Sequence, residues 1–556
     1  MKRFLKFIVS ALALIVAVDG SSAQVSPVGN TALLGGSPYA VDSCQTWTHT
    51  GAPDTASCIL EPTSPGTNYV FACDLVAGLA ICPNSFSPYG HAALINGESF
   101  YLTDCSQMPS SAQTVCDFLL TSAYFSDGAA PQAPPSTLTT PVFASFQPPT
   151  SGTATYYSAP AGSSFTTALG GSTIRQVPIP IAGTIKGLYA AFNTAQPGAT
   201  IADWLGGAAG SVACSFGGTT SCNYSGSGDH ISAGTLMEWQ WSTTSTWAQT
   251  SGLPVSVNFL FTADSGQQGF LLSGPQNTAA SGTAQNYYAG FGSAYAATNS
   301  GNESAQSSIM PVAGQITGLY VVPNGTENST PHVYTIWHNG SASSMTCTPG
   351  ASTSTGCCVN LTGSGTIGGG PSCTTSSAIS IAVGDTLSID YGCAGASCAN
   401  VSPGVALIFV PTTAGQAPLV AQWDETPGTL RYVGLEDGNI GSAAGNYQAA
   451  PNVSATVTLS DLLACAGTSP GAGGTWIVST LYAATPATTP ATSSGIATTV
   501  SNTTNCPGAS SALYGAQDTA HTFSAGPGYS LINQIADSGS PVGSNVWKIG
   551  MVATVP

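Results

Sequence analysis

Three short sequence landmarks recur in the same order along the chain, and this repetition limits the folds that it can adopt. The pairs are PIAGTIKGLY at 180–189 with PVAGQITGLY at 311–320, SGTATYY at 151–157 with SGTAQNYY at 281–288, and HISAGTL at 230–236 with SIAVGDTL at 380–387. The copies lie roughly 130 to 150 residues apart, much farther than the roughly 20 to 45 residues of a solenoid unit. The spacing therefore predicts tandem domains, each with a core of its own.

A third, more diverged copy follows the second. NVSATVTLSDL at 452–462 takes the place of the first landmark, and FSAGPGYSL at 523–531 takes the place of the last. Pro/Gly/Ser/Thr-rich stretches separate the copies and are typical of linkers. The predicted organisation is a signal peptide at 1–23, a cysteine-rich module with a Pro-rich tether at 24–137, and three repeats at 138–265, 266–414 and 415–556.

Within a copy, apolar residues alternate with period two rather than 3.6. The segments 184–189 and 333–337 are runs of β-branched and aromatic residues of strand length. Asn339-Gly340 follows the second run and is a favoured hairpin turn. We predict a mainly β fold of tandem antiparallel β-sandwich or jelly-roll domains.

The segment before the repeats is predicted to be a small disulfide-rich module, either β or α+β. Asn96-Gly97 lies between two apolar runs and predicts a hairpin. Ser110 precedes Val115 and Phe118 in a pattern that predicts a capped helix of two or three turns.

The N-terminus and the charge balance indicate export. A basic start, an apolar stretch at 8–18 and Ser21-Ser22-Ala23 predict cleavage before Gln24, with an uncleaved membrane anchor as the alternative. The basic residues that remain after cleavage are Arg175, Lys186, Arg431 and Lys548, in a chain whose net charge is -17. Because phosphates and anionic lipids require clustered Lys and Arg, we expect no nucleic-acid binding, and no membrane insertion after signal cleavage.

All 16 cysteines follow the signal segment, and each predicted domain holds an even number of them. Export favours disulfides over metal-bound thiolates. We expect the pairs Cys214–Cys222 and Cys465–Cys506. The six cysteines of 44–116 and the six of 347–398 each allow 15 connectivities, which the sequence leaves open. Adjacent Cys357 and Cys358 are expected to bond to different partners.

The residues that suggest chemistry each have a structural interpretation. Ser469 stands in a GxSxG match, but Gly-rich sequence follows it, whereas a nucleophile elbow needs a strand before the serine and a helix after it. His332 and His338 are interpreted as exposed strand residues, and Glu238 as part of a solvated face. Asp385 is expected to cap a turn. We therefore predict no catalytic residue, no metal site and no cofactor.

Trp239, Trp241 and Trp247 are the candidate ligand-binding residues. If the copies are aligned on Gly234 and Gly384, Trp239 and Trp241 fall on core positions. If they are aligned on Leu236 and Leu387, the same rings are exposed and form a flat platform for sugars.

The order of landmarks, hairpin, cysteine pair and final apolar strand resembles the jelly-roll repeats of uncharacterised secreted bacterial surface proteins. It is also similar to TNF/C1q-like modules of exposed fibre tips, across residues 138–556. The resemblance implies extracellular display and trimer formation, and it specifies no chemistry.

These observations predict a secreted, non-enzymatic structural or surface-display protein. It would be extracellular or attached to the cell surface, and its partners would be other copies of itself or cell-envelope components. A carbohydrate-binding adhesin, with glycans as partners, is the first alternative. A secreted hydrolase is the second.

Overall fold

The structure, a computed structural model, describes nine strands between residues 23 and 120 and most of the chain from 137 to 555. The gaps in this second range are 147–154, 165–175, 193, 245–254, 265, 274–285, 292–297, 300–305, 369, 394–397, 400, 424–429, 437–439, 442–455, 484–491, 509–512 and 543–545. The chain forms two compact units, Met1–Pro135 and Ser136–Pro556. The described residues are organised in mainly antiparallel sheets, so the predicted β class is confirmed. Within these ranges no helix is long and apolar enough to cross a membrane.

The first unit contains a seven-stranded sheet and a two-stranded sheet. Its strands are β1 (Ala23–Val25), β2 (Thr31–Leu34), β3 (Ser37–Trp47), β4 (Thr55–Pro62), β5 (Asp74–Val76), β6 (Leu79–Ile81), β7 (Ala92–Ile95), β8 (Glu98–Gln107) and β9 (Thr114–Leu120). β7 and β8 pair with Ile95 opposite Glu98, which confirms the predicted hairpin. The side chains of the six cysteines at 44–116 lie outside the described residues.

The helix predicted after Ser110 is wrong. Thr114–Leu120 is strand β9, which pairs with both β4 and β8. The segment contains Thr, Val and Phe, which favour strands. Pairing on both sides outweighs the local capping signal.

Sandwich 1 comprises β10–β20. The strands are β10 (Thr139–Phe146), β11 (Tyr156–Ser158), β12 (Gly162–Ser164), β13 (Val177–Ile179), β14 (Gly183–Ala191), β15 (Ala199–Leu205), β16 (Ala208–Ser215), β17 (Ser221–Tyr224), β18 (Asp229–Ile231), β19 (Thr235–Thr243) and β20 (Val255–Ala263). One sheet has the order β12-β10-β20-β14-β17, with β18 beside β14. The other has the order β11-β19-β15-β16, with β13 beside β19.

Sandwich 2 comprises β21–β32. The strands are β21 (Gly269–Ser273), β22 (Asn286–Ala289), β23 (Thr298–Asn299), β24 (Ser308–Ile309), β25 (Gly314–Val322), β26 (Val333–His338), β27 (Ser341–Cys347), β28 (Cys357–Asn360), β29 (Thr374–Thr375), β30 (Ile379–Ile381), β31 (Thr386–Gly392) and β32 (Gly404–Pro411). Its sheets have the orders β21-β32-β25-β28-β29, with β30 beside β25, and β23-β22-β31-β26-β27, with β24 beside β31.

Sandwich 3 comprises β33–β41. The strands are β33 (Gln416–Trp423), β34 (Leu430–Val433), β35 (Ile440–Gly441), β36 (Val457–Ala466), β37 (Thr475–Ala483), β38 (Thr492–Val500), β39 (Tyr514–Ala525), β40 (Ser530–Ser538) and β41 (Trp547–Thr554). Its sheets have the orders β33-β41-β36-β39 and β35-β34-β40-β37-β38.

The three sandwiches share one connectivity. In each, the first strand pairs with the last, and the last pairs with the strand of the first landmark, β14, β25 or β36. We call the sheet with the first strand the inner sheet and its partner the outer sheet. Apolar side chains of both sheets meet between them, as in the edge-to-face pair of Trp476 and Trp547 in sandwich 3. The proposed repeat boundaries stay predictions, because residues 136–556 form a single compact unit.

Each of the three sandwiches packs against the other two. Their first strands, β10, β21 and β33, all contact one another. At interface 1/2, β13 also contacts β25 and β32, and at interface 2/3 the equivalent β24 contacts β33 and β41. At interface 3/1, the Phe143 N–H donates to Glu436 Oε2 over 2.7 Å, and Phe143 joins the core cluster of sandwich 3. Within one chain, each of the three sandwiches therefore contacts the other two.

Five disulfides are described in this unit. They are Cys214–Cys222, Cys347–Cys357, Cys358–Cys373, Cys393–Cys398 and Cys465–Cys506. The first and last are the pairings expected from the sequence. Cys357 and Cys358 bond to different partners, as expected. The bridges from β16 to β17 and from β27 to β28 occupy equivalent places and join the two sheets of their sandwiches.

Candidate functional site

Trp239 and Trp241 are core residues, so their interpretation as an exposed sugar platform is wrong. Their exposed fractions are 0% and 2%. Trp239 packs edge-to-face on Phe259 of the inner sheet, and the Trp241 indole N–H donates to Ser158 Oγ over 3.0 Å. The alignment on Gly234 and Gly384 is therefore the correct one. Trp247 lies outside the described residues.

Ser469 lies in the loop between β36 and β37. Its Oγ accepts a hydrogen bond from the Gly471 N–H at 3.2 Å, which is an ordinary turn contact. This geometry lacks the strand-turn-helix frame of a nucleophile elbow.

His332 is fully buried, so its interpretation as an exposed strand residue is wrong. Its Nδ1 lies 2.9 Å from Glu327 Oε2, and the Tyr334 hydroxyl donates to Glu327 Oε1 over 3.0 Å. All three side chains are buried in sandwich 2. Among the residues that the structure describes, no group of three or more His, Cys, Asp or Glu side chains forms a candidate metal site.

His338 and the turn residue Asp385 form a second pair, with 2.8 Å between Nε2 and Oδ2. Asp385 also accepts hydrogen bonds from the Ala382 N–H and the Asn339 side chain, so it caps the turn as predicted. Burial opposes ionisation of Asp385, but these hydrogen bonds and His338 lower its pKa overall.

Three acidic side chains in the outer sheets are buried, and their pKa values are strongly raised. Burial raises the pKa of Glu238 to about 8, and burial together with the neighbouring Asp229 carboxylate raises that of Asp203 to about 8. Burial raises the pKa of Asp390 to about 7. The interpretation of Glu238 as part of a solvated face is therefore wrong, and the group is neutral in mildly acidic solution.

The outer edge strands β16, β27 and β38 are closed by local hydrogen bonds. Each forms a β-bulge with its neighbour at an equivalent place. In sandwiches 2 and 3 the Met345 and Ile496 N–H groups donate to a serine two residues earlier. In sandwich 1 that serine is replaced by Gly210, and Asp229 accepts the Val212 N–H instead. Bulged and capped edges resist pairing with a further strand.

The candidate binding surface is a set of three equivalent side chains on each outer sheet, which we call the outer-face triads. They are Tyr157, Trp204 and Gln240 in sandwich 1; Tyr288, Trp337 and Asp390 in sandwich 2; and Tyr432, Leu481 and Gln534 in sandwich 3. Their equivalence follows from the strand register, since Tyr157, Tyr288 and Tyr432 stand opposite Gln240, Asp390 and Gln534.

The triads keep the same contacts where their residues agree. Gln240 Nε2 donates to the Tyr157 hydroxyl over 3.0 Å, and Gln534 Nε2 donates to the Tyr432 hydroxyl over 3.2 Å. Tyr157 packs edge-to-face on Trp204 with 5.5 Å between ring centroids, and Tyr288 packs on Trp337 with 5.1 Å. Trp204 and Trp337 are partly exposed, whereas Leu481 is buried.

The triads are not among the residues predicted from the sequence. The repeated tyrosine pair of the landmarks at 151–157 and 281–288 contains Tyr157 and Tyr288, and it is the signal that points to them. Trp204 and Trp337 lie outside the landmarks and become equivalent only through the strand register.

The chain matches no protein-family model and no curated protein sequence. The resemblance to jelly-roll and TNF/C1q-like repeats therefore stays a prediction.

Proposed function

We propose that this chain is a secreted, non-enzymatic structural or display protein of the cell exterior. The observation that carries the proposal is the arrangement of three disulfide-stapled sandwiches around the common contact of β10, β21 and β33. Such a body holds its surfaces in fixed positions, which is what a display or coat protein requires. The multiple disulfides favour an oxidising, extracellular environment.

The remaining chemistry supports a structural role over hydrolysis. Ser469 serves a turn, and the carboxylates paired with His332 and His338 are Glu327, buried in the core, and Asp385, which caps a turn. The closed edges of β16, β27 and β38 indicate that any self-association uses other surfaces.

Electron microscopy of the exported chain, with fractionation of the producing cells, tests the proposal. We expect particles of the exported chain in ordered arrays or attached to envelope fragments. Mass spectrometry of the same material should find no free thiols at the ten cysteines of the described bridges. Retention in the cytoplasm with reduced cysteines, or particles that neither assemble nor attach, would contradict it.

A further inference from the structure

We propose that the outer-face triads of sandwiches 1 and 2 bind neutral oligosaccharides, with Trp204 and Trp337 as stacking surfaces. This binding function goes beyond the proposed structural role. It rests on side chains other than the buried pair Trp239 and Trp241.

Repetition of the geometry supports the site. In both sandwiches a partly exposed indole stands beside an edge-to-face tyrosine, and a hydrogen-bonding side chain faces that tyrosine across the strands. A core position needs only apolar volume. An indole, a phenol and an amide or carboxyl group in one patch instead combine an apolar face with polar groups at its rim, as in ligand sites.

Charge selects the class of ligand. The lysine and arginine side chains that the structure describes are Lys186 in β14, Arg431 in β34 and Lys548 in β41, all outside the outer sheets of sandwiches 1 and 2. His338, which follows Trp337 in β26, is paired with Asp385. Anionic ligands therefore find no counter-charge at either triad. Glu238, opposite Trp204 in the sheet, and Asp390, opposite Tyr288, are buried acids that keep a proton in mildly acidic solution. The patches thus offer hydrogen bonds without a strong charge.

A sugar ring matches this combination. Its C–H face packs on an aromatic ring, and its hydroxyls exchange hydrogen bonds with amide and phenol groups such as the partly exposed Gln240 and Tyr157. Sandwich 3 is an internal control, because its triad keeps Tyr432 and Gln534 but has buried Leu481 in place of the indole. We assign it no sugar site.

The test is an array of neutral, sialylated and sulfated oligosaccharides probed with the intact exported chain, followed by titration calorimetry with the neutral glycan retained best. We expect retention of neutral glycans. In Trp204→Leu and Trp337→Leu, which reproduce the residue of sandwich 3, each altered site should bind about tenfold more weakly, and the double variant should lose most binding. Trp204→Phe and Trp337→Phe should retain more affinity, because a ring remains.

Tyr432→Leu in sandwich 3 is the matched control and should bind like the unaltered chain. Thermal unfolding separates lost binding from lost fold, and the Phe variants keep the test valid if the Leu variants unfold. Retention of no neutral glycan, a preference for acidic glycans, or full binding by the folded double variant would overturn the proposal. None of these results would alter the assembly or envelope attachment that tests the structural role.

Discussion

Gly384 of sandwich 2 and Gly528 of sandwich 3 have the same backbone conformation, with φ of 88° and 82°, but different surroundings. A Cβ at Gly384 would lie 1.7 Å from the Pro507 carbonyl oxygen across interface 2/3, whereas nothing described lies within 4 Å of the same point at Gly528. Gly234 of sandwich 1 resembles Gly384, with the Thr366 carbonyl oxygen at 1.9 Å. The left-handed turn is therefore common to all three sandwiches, and in sandwiches 1 and 2 it also contacts the next sandwich along the chain.

Sandwich 1 shows why the third turn has no equivalent contact. The turns at Gly234 and Gly384 meet Thr366 and Pro507, which lie between β28 and β29 and before β39. In sandwich 1 the corresponding connections are both short: residues 225–228 join β17 to β18, and residues 216–220 join β16 to β17. Interface 3/1 is instead made by β10 against β33 and β41. Similar folds therefore associate through different contacts.

The different surroundings of the two glycines predict unequal costs for Gly384→Ala and Gly528→Ala. Both variants strain a left-handed backbone, at a cost of about 1–2 kcal/mol. Gly384→Ala must also displace the backbone of sandwich 3, so we expect a total loss of more than about 4 kcal/mol in the free energy of unfolding. Denaturant titration measures both. Equal losses in the two variants would show that interface 2/3 does not depend on this contact.

The disulfides of sandwiches 1 and 3 differ in the length of chain that they close. Cys465–Cys506 closes 41 residues in sandwich 3, whereas Cys214–Cys222 closes 8 residues in sandwich 1. Loop-closure entropy predicts losses of about 4 and about 2.5 kcal/mol when each pair is replaced by alanine. Chemical denaturation of the two double variants tests the order. If the loss of Cys214–Cys222 lowered the free energy of unfolding more, the shorter bridge would act mainly by holding the two sheets together rather than by restricting the unfolded chain.

A third difference between the sandwiches concerns the dependence of stability on pH. Glu238, Asp203 and Asp390, all in sandwiches 1 and 2, ionise near pH 4 in the unfolded chain and at about 7 to 8 in the folded one. Their contribution to the free energy of unfolding is complete below about pH 4. It declines as pH rises toward 8, because the unfolded chain releases these protons at a lower pH than the folded chain does. Asp518 of sandwich 3, with a lowered pKa, has the opposite dependence and loses its contribution only in acid.

Amide hydrogen exchange at pH 5 and pH 8 measures the stability of each sandwich separately. We expect protection of sandwiches 1 and 2 to fall toward pH 8, while that of sandwich 3 changes little. Glu238→Gln keeps the shape of the side chain and removes its titration, so it should flatten the dependence of sandwich 1. Uniform loss of protection in all three would contradict these assignments.

Much of the fold was predictable from the sequence because the signals are local or repeated. Period-two alternation and turn residues indicated strands, and the recurrence of landmarks around Gly187 and Gly318 indicated tandem copies. The Asn339-Gly340 hairpin is confirmed, with His338 opposite Ser341 and both turn residues at positive φ. Short spacing also led to Cys214–Cys222.

The features that the sequence did not predict depend on contacts between distant segments. Glu238 and His332 look like surface residues in a polar chain, and they are buried by neighbours that no local pattern names. β9 carried a helix-capping signal that pairing with two strands overrode. The triads combine residues 36 to 102 positions apart, and only the strand register relates them.

The covalent connection of the three sandwiches has a consequence for the proposed extracellular role. Separate subunits come apart on dilution because their association depends on concentration. Here one backbone carries all three copies, so each meets its neighbours at a fixed effective concentration however far the molecule diffuses. Each copy is also encoded separately. A substitution in one therefore alters a single lobe, which leaves the third copy free to keep a leucine where the others have tryptophan.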